Sequence, residues 1–285
     1  MKQTMTLAGI LLTFALCLAS CNGNSQSNVN VPTEYCEELV KLAEEGNAEA
    51  QTRLGTFLLN GNGVTKNIEE AIKWYQKAVE QGNAEAQAYL GVCYQNGNGV
   101  AQSHSKAVEL YRKAAEQGNT IGQNNLGLCY DNGLGVEQSY TEAVKWYRKA
   151  AEQGEARSQY LLGICYLKGE GVEQSDSEGE KWLMEAANKG LADAQYAHGC
   201  MYQSYGDYDS AIGRFLQAAL QGQKDAVERM NEWVLPKAQQ GNASAQCAMG
   251  LFCKQSGKTD EAIQWFALSS QQGNKVATDE LNKMK

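Results

Sequence analysis

The sequence predicts an all-α protein, an α-solenoid of stacked antiparallel helix-turn-helix units, and three observations predict it. Glycine recurs at Gly46, Gly82, Gly118, Gly154 and Gly190, every step being 36 residues. A second glycine keeps register with the first, at Gly55, Gly91, Gly127, Gly163 and Gly199. Between them, strings such as Ala86 to Tyr94 place Ala86, Leu90 and Tyr94 four apart, the spacing of one helical face. Self-similarity at a fixed period of this length marks a repeat architecture, in which each unit buries its apolar face only against its neighbours.

The chain has 285 residues, a hydrophobic fraction of 43% and a net charge of -8. That charge, with lysines and arginines scattered along helical patterns, argues against nucleic acid or an anionic membrane surface as the main partner. The amino terminus is a different material. Lys2 precedes an apolar run from Met5 to Ala19, the length of a signal-peptide core and short of the roughly 20 residues a spanning helix needs. It ends in Leu18-Ala19-Ser20-Cys21. Residues 1–20 therefore read as a signal peptide, and residues 21–32, polar and aperiodic, as a flexible tether with a reach of about 20 Å by coil statistics. An ordinary secretory signal wants small residues in an A-x-A pattern, which Cys17-Leu18-Ala19 fits less well.

The solenoid occupies residues 33–285, with units near 47–82, 83–118, 119–154, 155–190, 191–222 and 242–273. In the second of these a first helix is expected over about Asn83 to Gln95 and a second over about Ser105 to Gln117. Gly91 and Ala107 are small enough for the two backbones to approach closely. The connector Asn96-Gly97-Asn98-Gly99-Val100 has the residues that positive φ demands. Ser139 to Glu142 and Ser175 to Glu178 read as capping boxes opening second helices. Gly91 to Ala107 is 16 residues, but Gly199 to Ala211 and Gly250 to Ala262 are 12, so two units have lost four residues from the interhelix loop. The stretch 223–241, with Pro236, is degenerate, and a bend or an irregular helix pair is expected there. Thr33 to Glu45 reads as a lone second helix, and Lys275 to Lys285 as a lone first helix that caps the stack.

Leu90-Gly91, Tyr94, Gly97-x-Gly99-Val100, Ala107, Trp74 or Trp146 at the aromatic position, Lys113-Ala114-Ala115 and Gly118 together resemble the Sel-one-like repeat, a relative of the tetratricopeptide repeat. The resemblance implies a right-handed superhelix that holds a protein or peptide partner in a concave groove, without catalysis. Leu18 to Cys21 in turn resembles the lipobox of bacterial lipoproteins. That implies a diacylated Cys21 as the mature amino terminus and a chain anchored in the cell envelope. The absence of acidic residues just after Cys21 favours a periplasm-facing placement.

Reaction chemistry finds little support. His104 and His198 are far apart and lack metal-ligand spacing, no C-x-x-C exists, and no phosphate loop is formed, so neither a metal nor a cofactor is expected. Ser103-His104-Ser105-Lys106 matches the S-x-x-K of penicillin-recognising enzymes. With 15 serines and 19 lysines in the chain such a spacing arises by chance, and Ser103 stands where a second helix needs its cap. Because some cysteine-rich relatives of the resembling family are linked to β-lactam binding, an envelope protein that binds cell-wall fragments or β-lactams is the alternative. Trp74, Trp146, Trp182 and Trp265 read as core packing rather than a sugar platform. Of nine cysteines, seven remain after Cys17 and Cys21. Cys93, Cys129 and Cys165 lie 36 apart on successive units, too distant to bridge, and read as small buried hydrophobes.

Taking 100° per residue from Leu90 puts Ala86, Leu90, Cys93 and Tyr94 inward, with Glu85, Ala88, Val92 and Gln95 on the far side. Carried to later units, the far side includes Asn124, Leu128, Arg157, Tyr160, Ile164, Leu167 and Tyr196. These are the candidate groove residues, and packing against the neighbouring first helix is the competing reading.

Overall fold

A computed structural model describes residues 31–284. The signal peptide, Cys21 and most of the tether lie outside the described residues. Val31 and Pro32, assigned to the tether from sequence, are seated on the first unit. Val31 is buried and the Arg53 guanidinium donates to both their carbonyls, at 2.6 and 3.0 Å.

Among the described residues all regular structure is helical. The lone second helix α1 (Glu37–Glu44) precedes five paired units: α2 (Ala48–Asn60) with α3 (Ile68–Glu80), α4 (Ala84–Asn96) with α5 (His104–Glu116), α6 (Thr120–Asn132) with α7 (Tyr140–Glu152), α8 (Ala156–Lys168) with α9 (Asp176–Asn188), and α10 (Ala192–Tyr205) with α11 (Tyr208–Leu220). The degenerate stretch is one irregular helix, not a pair: α12 (Lys224–Arg229), a π-helical segment (Met230–Val234) and α13 (Leu235–Gln239). Pro236 has no N–H to give, and the Leu235 N–H reaches back to the Met230 carbonyl, so the wider turn keeps the helix continuous. A last pair, α14 (Ala243–Gln255) with α15 (Thr259–Gln271), and the single helix α16 (Lys275–Lys283) complete the stack.

Caps place each helix. Asn47, Asn83, Asn119 and Asn242 accept from backbone N–H groups in the first turns of first helices, and Ser103, Ser139 and Ser175 do so for second helices. The expected capping boxes form only by half. The Ser139 N–H donates to the Tyr130 carbonyl instead of to Glu142, whose carboxylate pairs with Lys145 at 2.6 Å.

The core of five of the six paired units is an aromatic ring pressed on a glycine, and in the α8–α9 unit Leu183 takes its place. Tyr75, Tyr111, Tyr147, Phe215 and Phe266 are fully buried, and a Cβ on Gly91 would sit 2.6 Å from the Tyr111 ring, so no larger residue fits. The tryptophans are therefore not the core aromatics. The residue after each one is: Tyr75, Tyr147, Leu183 and Phe266 are buried, while Trp74, Trp146, Trp182 and Trp265 are half-buried. Trp146 packs against the cluster that runs from Ala107 and Tyr111 of the preceding unit to Leu126 and Cys129 of its own, with the Lys149 ammonium 4.1 Å above its ring.

Units are joined by repeated polar contacts. Gln123 Nε2 donates to the Ala115 carbonyl of the preceding unit, and Gln153 Nε2 donates to Gln123 Oε1 at 2.8 Å. The same glutamine pair recurs at Gln87 and Gln117, Gln195 and Gln221, and Gln246 and Gln272. Gly135, at φ +74°, lets its loop lie against the first turn of α5, where an added Cβ would stand 2.5 Å from the His104 carbonyl carbon. Contacts run between helices consecutive in the chain, between successive first helices such as α4 and α6, and between α11 and α14 on either side of the irregular helix. Second helices make no comparable contacts with one another among the described residues. The first helices thus line the inner side of the stack.

Candidate functional site

The inner face is built from the first helices, and the structure sorts the predicted groove residues into three groups. Asn124 does not belong there. It is buried and its amide donates to Ser158 Oγ of the next first helix at 2.7 Å. Its equivalents Thr52 and Ala88 are buried too, because this position faces the adjoining first helix. Leu167 turns to its own second helix, where a Cβ on Gly179 would collide with it at 2.5 Å. In the two preceding units the same position holds Gln95 and Asp131, which accept from the hydroxyls of Tyr111 and Tyr147 at 2.8 and 3.2 Å. Where the core tyrosine becomes Leu183, its polar partner has become Leu167.

The remaining candidates are all at least partly exposed. Arg157 is exposed. Ile164 is half-buried, Leu128 is half-buried against the core that holds Tyr147, and Tyr160 lies half-buried over Ala186, Ala187 and Ala194. Tyr196 packs its ring 5.7 Å from that of Phe215 and is anchored in the core on one side. Burial, then the nearby Asp193 carboxylate, push the Tyr160 hydroxyl above its ordinary range. Burial raises the Cys200 thiol as well.

The degenerate helix adds residues that sequence reading missed. Asp225 lies near enough to act on both Tyr160 and Cys200, and the Arg229 guanidinium stands beside the Tyr196 hydroxyl. Charges of both signs thus stand near the two tyrosines, Asp193, Arg157 and Asp225 around Tyr160 and Arg229 at Tyr196. The only signal in the sequence was that residues 224–229 occupy the place of a first helix.

The candidate reactive groups elsewhere are otherwise engaged. Ser103 Oγ accepts from the Lys106 N–H, while the Lys106 ammonium lies 5.2 Å over the Tyr94 ring. Cys36, Cys93, Cys129, Cys165, Cys200, Cys247 and Cys253 are all free thiols, and burial pushes Cys93 and Cys129 up to about 11.

The fold and its inner face define a two-helix-repeat solenoid, a class that presents surface rather than a reaction centre. Residues 48–83, 84–119, 120–155, 156–191 and 243–274 match the model of the Sel1 repeat, and the chain belongs to that family. Among solved structures it is similar to a protective antigen of uropathogenic Escherichia coli displaying an SLR fold, at 30% identity and a TM-score of 0.60. The match covers 86% of this chain and 58% of that one, so this chain spans little more than half of that relative's length. A Sel1 repeat protein of Oxalobacter formigenes is 28% identical with a TM-score of 0.59, over 81% of this chain and 95% of that one. Human IFIT1, at 16% identity and a TM-score of 0.56, shares the fold. No curated protein matches the sequence.

Proposed function

We propose that this protein is a non-catalytic scaffold of the bacterial cell envelope, anchored by a lipid on Cys21 and facing the periplasm, which holds a protein or peptide segment along the inner face of its first helices. The observation that carries the reading is the two tyrosines, Tyr160 and Tyr196, with Arg157, Asp193, Asp225 and Arg229 nearby. Aromatic side chains already half-desolvated and bordered by charges of both signs are the composition of an interaction hot spot. A zwitterionic rim suits an extended peptide carrying charges of both signs, while the net charge of -8 on the whole chain disfavours duplex nucleic acid.

The test is photo-crosslinking in cells, with a benzophenone amino acid at position 157 or 193 on the inner face and at position 73 or 145 on the outer. A discrete crosslinked partner from the inner positions, lost on combining Arg157→Glu with Asp193→Lys in the chain probed from position 164, supports the groove. Crosslinks from the outer positions alone refute it. For the anchor, Cys21→Ala should abolish incorporation of radiolabelled fatty acid and release the protein from the membrane fraction. A mutant still retained there would remove the lipobox reading.

A further inference from the structure

The irregular helix carries a feature that the regular units lack. At its end the Lys237 ammonium sits 4.3 Å from the ring centre of Tyr208 and 4.6 Å from that of Trp233. The two rings stand 5.6 Å apart at 72°, so they form two walls of a corner with the ammonium between them. Among the described residues Lys237 has no carboxylate partner, and the π-faces are what hold it.

One wall of the corner is fixed. Trp233 stands edge-on to the buried Phe215 ring at 5.7 Å and 84°, and the Arg229 guanidinium covers Phe215 at 5.8 Å. The π-helical turn around Pro236 sets the phase that brings Trp233 and Lys237 to this side of the helix. The other wall is open, since Tyr208 is 49% exposed at the start of α11. Tyr208 is flanked in sequence by Asp207, whose carboxylate caps α11 by accepting from the Ser210 N–H, and by Asp209, both exposed. Lys237 hangs on a flexible stem and is free to leave.

We propose that Tyr208 and Trp233 form an aromatic cage for a quaternary ammonium group, with Lys237 as its resident occupant in the unliganded protein. A primary ammonium seated here makes no hydrogen bond to the walls, which are rings, and must keep its N–H donors turned to water. A quaternary ammonium has no donors to satisfy and sheds its weakly held water readily, so the walls favour it over the lysine they hold. The ligand then displaces Lys237 into solvent. The group comes either from a soluble trimethylammonium compound or from a choline lipid headgroup, and the same cage recognises both.

Calorimetric titration of the described chain from residue 31 onward with tetramethylammonium chloride, and with choline chloride, tests the proposal at constant ionic strength. Lys237→Ala vacates the cage and should bind tetramethylammonium at least tenfold more tightly than the parent. Adding Tyr208→Ala to that variant should return the affinity to the parent's level or below, and ammonium chloride should bind neither chain measurably. Flotation with phosphatidylcholine and with phosphatidylglycerol vesicles separates the sources. Retention on the first alone identifies a lipid headgroup, and retention on neither, with choline bound, identifies a soluble ligand. If Lys237→Ala binds no tighter than the parent, or if Tyr208→Ala leaves its affinity intact, the cage is only an internal brace. Far-UV melting of each variant checks folding, and Lys237→Met, which keeps the stem and removes the charge, replaces Lys237→Ala if that variant melts early.

Discussion

His198 is buried at a position that four earlier units fill with Leu54, Leu90, Leu126 and Leu162. Neither ring nitrogen has a hydrogen-bond partner, and the ring stacks on Tyr202 at 4.4 Å between centres. Burial, with Arg214 adding to it, pulls its pKa from 6.5 down to about 4. The fold therefore holds the neutral ring, while the unfolded chain takes up a proton as the pH drops below 6.5. Stability is full above pH 6.5, falls as the pH moves toward 4, and levels off below that. At pH 5 the loss is about 2 kcal/mol, rising to about 3 kcal/mol when both states are protonated. In a chain of this size that corresponds to a melting point lower by about 4–8 °C at pH 5 than at pH 7.5. His198→Leu restores the residue of the other units and removes two unpaired polar atoms. It should raise stability by about 1–3 kcal/mol at pH 7.5 and flatten the profile between pH 7.5 and 5. Urea melts by circular dichroism at both pH values measure this, and hydrogen exchange in α10 shows whether the loss is local to that unit. The carboxylates Glu280 and Glu109, held low by lysine partners, give way only at pH values below this window. A His198→Leu protein that keeps the parent's pH dependence would refute the reasoning.

Two further expectations come from the loops and the thiols. Gly135→Ala should cost about 3 kcal/mol or more, since it combines a left-handed φ with a clash against α5, whereas Gly257→Ala, left-handed but with open space around it, should cost about 1–2 kcal/mol; thermal melts of the two variants decide, and equal losses would mean that the loop contact between units contributes nothing. Thiol titration of the denatured, unreduced protein should find all seven of its described cysteines free, and titration of the native protein at pH 8 should leave Cys93, Cys129 and Cys165 unreacted, because burial keeps them protonated.

The period of 36 residues made the fold legible, because glycine, apolar face and cap fall in register in unit after unit. What one helix considered alone cannot show is where its neighbours sit. The arc opposite Leu90 covers both the open inner face and the flank of the adjoining first helix, so Asn124 and Arg157 looked alike, yet one is buried against Ser158 and the other is exposed. The tryptophans do pack against the cores, as read, but at their edge and not at the central aromatic position, and that position was missed for a different reason. Trp and Tyr are adjacent in two units, and either could have faced inward. The deciding signal lies in the columns. The position of Tyr75 is Tyr, Tyr, Tyr, Leu, Phe and Phe through the paired units, while that of Trp74 includes Arg214, which no core accepts.

The departures of the repeat from its own pattern are concentrated in one stretch, although the shortened loop recurs at Gly257. Leu183 with Leu167 and Gly179, Lys189 in place of the bridging glutamine, His198 in a leucine site, the shortened loop before Tyr208 and the single irregular helix all fall between residues 167 and 239. Several of them weaken the stack: Gln159 Oε1 has lost its partner with Lys189, and His198 has neither of its own. Regular units present nearly the same surface each time and cannot by themselves mark one place on a long inner face. Specificity has to come from units that differ, and structural cost is expected where sequence is kept for something other than folding. Here the departures border both the two tyrosines with their four nearby charges and the Tyr208–Trp233 corner. On the function proposed above, the inner surface at α8, α10 and α12 is the place where a partner would find its register, carried there by the units before it.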